Sequence, residues 1–256
     1  KGRYQHSWHR QCSHLFPQFY RACAGRRHEG KPVLIVCIDG PSGSGKGTLC
    51  QLLASDLGFH LLDSGAMYRL VGLAGRNHGI ALDDEPKVAE LAHDLDVVFE
   101  AGEAGEPTKV ILEGEDVSKE IRLESTGELA SQVAVLPAVR SALLDRQRAF
   151  AQAPGLVADG RDMGTVVFPQ AEVKIYLTAS AQERARRRVA QLEKNGETAD
   201  QQAILADIEA RDKRDSEREV APLKPAEDAI IIDASSLSIE QVLQQAKQIV
   251  SHKIAV

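Results

Sequence analysis

"IDGPSGSGKGT", residues 38–48, decides how the rest of the chain is read. Its four glycines, Gly40, Gly43, Gly45 and Gly47, and its one lysine, Lys46, follow directly on the apolar run "PVLIVCI" of Pro32 to Ile38. That run is β-branched and nearly uninterrupted, the pattern of a strand buried on both faces in a parallel sheet. Beyond the glycines, Leu49, Leu52, Leu53 and Leu57 recur at helical spacing until Gly58. The glycines therefore join a strand to a helix. Backbone without side chains can curl its N–H groups around an anion, and the helix that follows adds the positive end of its dipole. A phosphate chain fits such a cradle, with Lys46 reaching the outer phosphates. Gly40, four further residues, Gly45 and Lys46 match the Walker A spacing. Gly47 departs from it, because the strict pattern has Ser or Thr there, and Thr48 comes one residue late.

The bulk properties suit one large α/β domain or two small ones. The chain has 256 residues, of which 43% are apolar and 27% charged. No run approaches the ~18 apolar residues of a membrane span, so no membrane association is expected. A formal net charge of −6 argues against a general nucleic-acid binder, and any anion site must be a local basic cluster. Residues 1–31 differ from the rest, with seven Lys or Arg against the single acid Glu29. Their net +6 leaves −12 for residues 32–256. They have no apolar core of a secretory signal and little amphipathic period. They read as an extension outside the domain: a tag, a mis-assigned start or a dispensable arm. The alternative is a basic arm that docks an acidic partner. Cysteines at 12, 23, 37 and 50 form no C-x-x-C pair, so neither a zinc site nor a disulfide framework is expected. The plain reading is a reducing, cytoplasmic protein.

Along the chain, "LLDSGAMYR" leads into a helix with Asp63 or Ser64 as N-cap, and a further helix spans about Glu85 to Asp94. "LDVVFEAG" and "TKVILEGEDV" are strand-like runs joined by a turn around Gly102 to Pro107, which predicts a small antiparallel insert. Helices follow from about Ser125 to Val135 and, after Pro137, to about Gln152. "GLVADGRDMG" and "AEVKIYLTAS" are further buried strands. "AQERARRRVAQLEKNG" and "DQQAILADIEARDKRDSER" are charged helices, and "DAIIIDASSLSIEQVLQQAKQIV" closes with a strand and a helix. Strands alternating with helices give a three-layer, doubly wound parallel sheet, whose ligands sit beyond the carboxyl ends of the strands.

Asp159 ends a strand predicted to neighbour the glycine loop, where a carboxylate orients Mg²⁺ directly or through water. The plain alternative is an Asp that caps the turn into Gly160. Arg184, Arg187 and Arg188 fall at i, i+3 and i+4. Arg211, Asp215 and Arg218 fall at i, i+4 and i+7. Each set is predicted to share a helix face, and Arg184, Arg187, Arg188, Arg211 and Arg218 to serve phosphate, since the guanidinium fork binds its oxygens bidentately. Arg186, Lys213 and Arg214 are read as solvated surface charge.

"IDGPSGSGKGT", "LLDSGAMYR", "ILEGEDVS", "GRDMGTVVFP", "RDKRDSER…APLKPA" and "SLSIEQV", in that order, closely resemble bacterial cytidylate kinases from about Pro32 to the C-terminal helix. The resemblance implies a nucleoside monophosphate kinase fold over residues 32–256. It has a monophosphate-binding region at about 61–135 that contains the antiparallel insert, and a mobile lid at about 183–195. It implies transfer of the γ-phosphoryl group of Mg-ATP to CMP or dCMP, in a cytoplasmic monomer without nucleic-acid or membrane partners. ATP would lie on Gly40, Pro41, Ser42, Gly43, Ser44, Gly45, Lys46, Gly47 and Thr48. Lys46, Asp159, Arg161, Arg187 and Arg188 would be catalytic, the last two closing from the lid. Arg69 and Arg161 would hold the CMP phosphate, Ser64 the monophosphate end, and Arg211 and Asp215 the ribose. Asp162 would accept the cytosine amino group, with Ser131 and Arg140 at N3 and O2 and Arg218 nearby. With Gly47 at the hydroxyl position, Mg²⁺ would fall to Thr48, to Asp159 or mainly to water. Two other readings are weighed: a phosphate-loop kinase for another acceptor such as UMP, dTMP or shikimate, and an ATP-binding adaptor that transfers nothing.

Overall fold

Strand β1 (Leu34–Asp39) is the centre of the fold. A computed structural model describes residues 33–100, 109–194 and 196–254. The N-terminal extension, the turn expected around Gly102 to Pro107 and Asn195 lie outside the described residues.

The chain divides into two compact units. The larger holds residues 33–67 and 140–254. Here β1 pairs in parallel with β6 (Gly155–Gly160) on one side and β7 (Val173–Thr178) on the other. Strands β2 (His60–Asp63) and β8 (Ile230–Asp233) complete a five-stranded sheet in the order β2-β6-β1-β7-β8. All four pairings are parallel, as the uninterrupted apolar runs require. Val36, Ile38, Val157, Val173, Ile175, Leu177 and Ile232 form one core with Leu49, Cys50 and Leu53 of α1 (Lys46–Leu57) and Val242, Ala246 and Val250 of α8 (Ile239–Ile254). Successive strand residues face opposite ways. Cys37, Leu156 and Ala158 point to the other face and are fully buried as well. The central strands are thus covered on both sides. The free thiols of Cys37 and Cys50 belong to this interior, where burial pushes both well above the ordinary thiol range. They are packing groups rather than reactive ones.

The sequence reading left "HLLD" without a strand; it is edge strand β2, and Asp63 ends it. The Asp63 carboxylate accepts from the Ala66 N–H at 2.9 Å and so caps α2 (Ser64–Asn77), as expected.

The smaller unit, residues 68–139, is built on the rest of α2, α3 (Glu85–His93), α4 (Glu124–Val133) and an antiparallel sheet in the order β3-β4-β5. These strands are Val97–Glu100, Lys109–Leu112 and Glu115–Asp116. They form the predicted antiparallel insert. Gly72 lets α2 and α4 touch, since a Cβ there would lie 2.7 Å from Leu129 Cβ. Helix α5 (Pro137–Arg148) follows and ends four residues earlier than expected. Among the described residues, no helix is long and apolar enough to cross a membrane.

Candidate active site

The glycine loop leaves the carboxyl end of β1 at Gly40, whose backbone has φ +151°. A Cβ at Gly40 would sit 2.0 Å from the Leu177 carbonyl oxygen, so only glycine passes beneath β7 here. The loop closes on Gly45, with φ +98°, which caps α1 without any side-chain hydrogen bond. No acid stands in the first turn of α1. The first N–H groups of the helix are therefore left for an anion. Ser44 Oγ is buried in the loop without a hydrogen-bond partner. Lys46 folds back and donates to the Pro41 carbonyl at 2.8 Å. Burial lowers the lysine's pKa, and the charge of Asp159 chiefly opposes that. An orphaned buried hydroxyl, an uncapped helix start and a confined lysine together fit a bound phosphate chain.

Asp159 stands where expected. It pairs with Ile38 of β1 and Asp63 of β2 across the strand ends. A Cβ on Gly47 would lie 3.6 Å from Asp159 Oδ2. The carboxylate thus faces the place of the missing Walker hydroxyl. Burial raises its pKa to about 7, with Lys46 pulling the other way. Thr48 is exposed in the first turn of α1. Among the described residues, no group of three or more His, Cys, Asp or Glu is arranged to hold a metal. Mg²⁺ bound with a nucleotide needs only one or two carboxylates, the remainder being phosphate and water. The set Asp159 and Thr48 fits that demand.

Beyond β6 the chain runs through Arg161 and Asp162 into a single π-helical turn, Met163–Val167, which the sequence did not foretell. Asp162 accepts through Oδ2 from Arg140 Nη2, both side chains being buried. Arg161 donates through Nε to Asp215 Oδ2, and Arg218 donates through Nη2 to Asp215 Oδ1. Asp215 is 1% exposed. Burial pushes its carboxyl upward, but Arg161 and Arg218 outweigh that and hold it below the usual range. Arg211 and Asp215 lie on α7 (Gln201–Ser216), as read. Arg218 does not: the helix stops at Ser216, and Arg218 reaches back from beyond its end. Ser64, the first residue of α2, donates from Oγ to Gln147 Oε1 at 3.0 Å, and both residues are buried.

In the smaller unit, Arg69 donates from Nη1 to the carbonyls of Ile121 and Leu123, each at 3.0 Å. Ser131 on α4 bonds back to the Gly127 carbonyl at 3.2 Å.

The basic helix α6 (Ala181–Lys194) sorts its arginines. Arg184, read as a phosphate ligand, is 4% exposed and committed to protein. It donates to the carbonyls of Ala179 (3.0 Å) and Ser42 (3.1 Å) and, with both terminal nitrogens, to the Asp212 carboxylate. It supports the glycine loop from behind and takes Asp212 as its counter-charge. Arg187 donates to Glu183 Oε1 (2.8 Å), Ser44 O (3.3 Å) and Ala234 O (2.5 Å). Arg188 donates to Gln191 Oε1 at 3.0 Å. Of the expected lid pair, Arg187 touches the loop through a carbonyl, and Arg188 is engaged along its own helix. Arg186 is an exposed partner of Glu183, as expected of surface charge.

Sequence reasoning missed Asp39, Gln147, Glu183 and Asp212. Only Asp39 carried a local signal, an acid ending a buried strand immediately before the loop.

An all-parallel sheet ordered β2-β6-β1-β7-β8, with an uncapped glycine loop and its lysine at the end of the central strand, defines a phosphate-loop nucleotide-binding protein. The family model described as cytidylate kinase matches residues 36–252. Curated proteins named cytidylate kinase are similar over nearly their whole length. That of Stutzerimonas stutzeri is 60% identical over 215 residues, covering 84% of this chain and 94% of its own. That of Vibrio cholerae is 59% identical over 220 residues, covering 86% and 97%. That of Pseudomonas savastanoi pv. phaseolicola is 62% identical over 211 residues, covering 82% and 92%. The chain belongs to the cytidylate kinase family.

Proposed function

We propose that this chain transfers the γ-phosphoryl group of Mg-ATP to CMP or dCMP, giving ADP and CDP or dCDP. The family match across residues 36–252 carries the reading. The uncapped phosphate loop and the buried charge pairs beyond β6 suit it physically. A phosphate oxygen of the acceptor attacks the γ-phosphorus as the bond to the β-bridging oxygen breaks. That oxygen is largely anionic at pH 7, the second phosphate pKa being about 6. No general base is needed, and the work is positioning and charge neutralisation.

The loop N–H groups from Gly40 to Thr48 bind the donor phosphates, and Lys46 neutralises the transferring end. Asp159 and Thr48 would hold Mg²⁺, which would supply charge neutralisation to the phosphates of the bound ATP. Arg161 takes the acceptor phosphate; the roles of Arg69 and Ser131 rest on the family resemblance alone. Asp215 orders Arg161 and Arg218 while its remaining lone pairs serve the ribose beside Arg211. Asp162, oriented by Arg140, accepts the cytosine amino group. Uracil would turn a carbonyl toward that carboxylate, an unpaired contact costing on the order of 1–3 kcal/mol. Ser64 already donates its proton to Gln147. Its hydroxyl can rotate toward a phosphate oxygen, and its place at the monophosphate end rests on the family resemblance. Arg187, held on Glu183, Ser44 and Ala234, and Arg188, held on Gln191, would serve the γ-phosphate from α6.

The test is product identification with ATP and CMP by phosphorus NMR. CDP and ADP in equal amounts support the reading. ATP binding without CDP overturns it in favour of a non-catalytic adaptor.

A further inference from the structure

Asp39 is the last residue of β1 and 4% exposed, yet none of the roles above uses it. Its Oδ1 accepts from the Met163 N–H and its Oδ2 from the Gly164 N–H, each at 2.8 Å. These two donors open the π turn. The residue in the usual capping position is Asp162, and it makes no side-chain capping bond there. Its carboxylate is given to Arg140 instead. An acid 124 residues before Met163 in the chain thus does the capping that Asp162 leaves undone. A carboxylate on two backbone N–H groups makes charge-assisted bonds, roughly twice as strong as neutral ones. Gly164 keeps the turn close to Asp39: a Cβ there would lie in contact with Asp39 Oδ2 at 3.4 Å and press on the Lys174 side chain at 3.1 Å.

Asp39 is also the residue before Gly40, where the donor loop begins. In the β1–β6 ladder it lies opposite Gly160, the residue before Arg161. One buried carboxylate therefore fixes the geometry of two adjoining segments, one for each phosphate group. Burial raises its pKa to about 6, against which the Gly164 and Met163 N–H groups act, so it is ionised at neutral pH.

We propose that Asp39 is a positioning residue for phosphoryl transfer: by capping the π turn from β1 it holds Arg161 and Asp162 in register with the donor loop and frees the Asp162 carboxylate for the acceptor base. The inference rests on the cytidylate kinase reading above.

Asp39→Asn puts an amide NH₂ where one backbone N–H must be accepted, at nearly constant volume. With saturating ATP, kcat for CMP should fall on the order of 100-fold, the cost of a displacement of about 1 Å at a reacting centre. The KM for ATP should stay within about threefold, because the loop donors are untouched. The ratio of kcat/KM for CMP over UMP should fall about tenfold, as the Asp162 carboxylate turns to the vacated N–H group. A purely structural role would lower Tm while leaving kcat per folded molecule and the CMP to UMP ratio unchanged, and that result overturns the proposal. Should Asp39→Asn not fold, Asp39→Ser, which adds no amide donor and removes the carboxylate from the Met163 and Gly164 N–H groups, should show the same lost selectivity with ATP affinity kept; wild-type selectivity in it overturns the proposal equally. A wild-type enzyme that makes no CDP brings down the underlying reading first, and is seen before either variant is assayed.

Discussion

Arg140 donates from Nη2 to Oδ2 of Asp162, and neither side chain exposes more than 8% of its surface. Each makes the other's burial tolerable. Asp162→Ala removes a buried counter-charge from Arg140 and should lower stability by a few kcal/mol, about 1–3, by urea denaturation. Turnover of CMP should fall far more than ATP affinity. Equal losses in both would mean that Asp162 only shapes the fold.

Asp215 carries a heavier load, with an arginine on each carboxylate oxygen. Asp215→Ala should bring Arg161 and Arg218 into mutual repulsion at a cost of about 3–5 kcal/mol. Calorimetric titration should find CMP binding weakened at least tenfold and ATP binding changed less than threefold. Unaltered CMP affinity would remove Arg161 from the acceptor site.

Asp159 has a folded pKa of about 7 against an ordinary 3.8. The native state therefore holds a proton that the unfolded chain has already released between these values. Stability of the metal-free protein should consequently fall as pH rises from about 5 to 7. Asp159→Asn should flatten that decline, measured by denaturation in EDTA at pH 5 and pH 8, while turnover drops. Parallel wild-type and variant curves would contradict the assignment.

Gly40→Ala should abolish ATP binding and lower stability by more than about 4 kcal/mol, since the methyl group meets the Leu177 carbonyl and no flexible side chain can yield. A folded, ATP-binding Gly40→Ala variant would refute the loop geometry.

The parts of the fold that rest on local pattern were legible in advance. "PVLIVCI", the glycine loop and the leucines of α1 specify strand, turn and helix from their own spacing, and Asp159 was placed by where its strand ends. The parts that depend on distant partners were not. The π turn at Met163–Val167 has its first two N–H groups on the Asp39 carboxylate, which comes from β1 and leaves no trace in the local sequence. Arg218 was assigned to a helix face by an i, i+7 count, whereas α7 ends at Ser216 and the side chain returns to Asp215 from outside. Arg184 has the spacing of a phosphate ligand, but its partner Asp212 lies on another helix, and no periodicity records that pairing.

Removal of residues 1–30, outside the described part of the chain, should leave kcat/KM for CMP within about twofold. A large loss of activity or solubility would make the extension part of the working protein.

In the proposed reaction a donor loop passes phosphate to an acceptor chosen by its base. The most direct measurement is the initial rate of ADP release at saturating ATP across CMP, dCMP, UMP and dTMP. Cytosine nucleotides should exceed UMP in kcat/KM by at least about tenfold. UMP matching or outpacing CMP would contradict it.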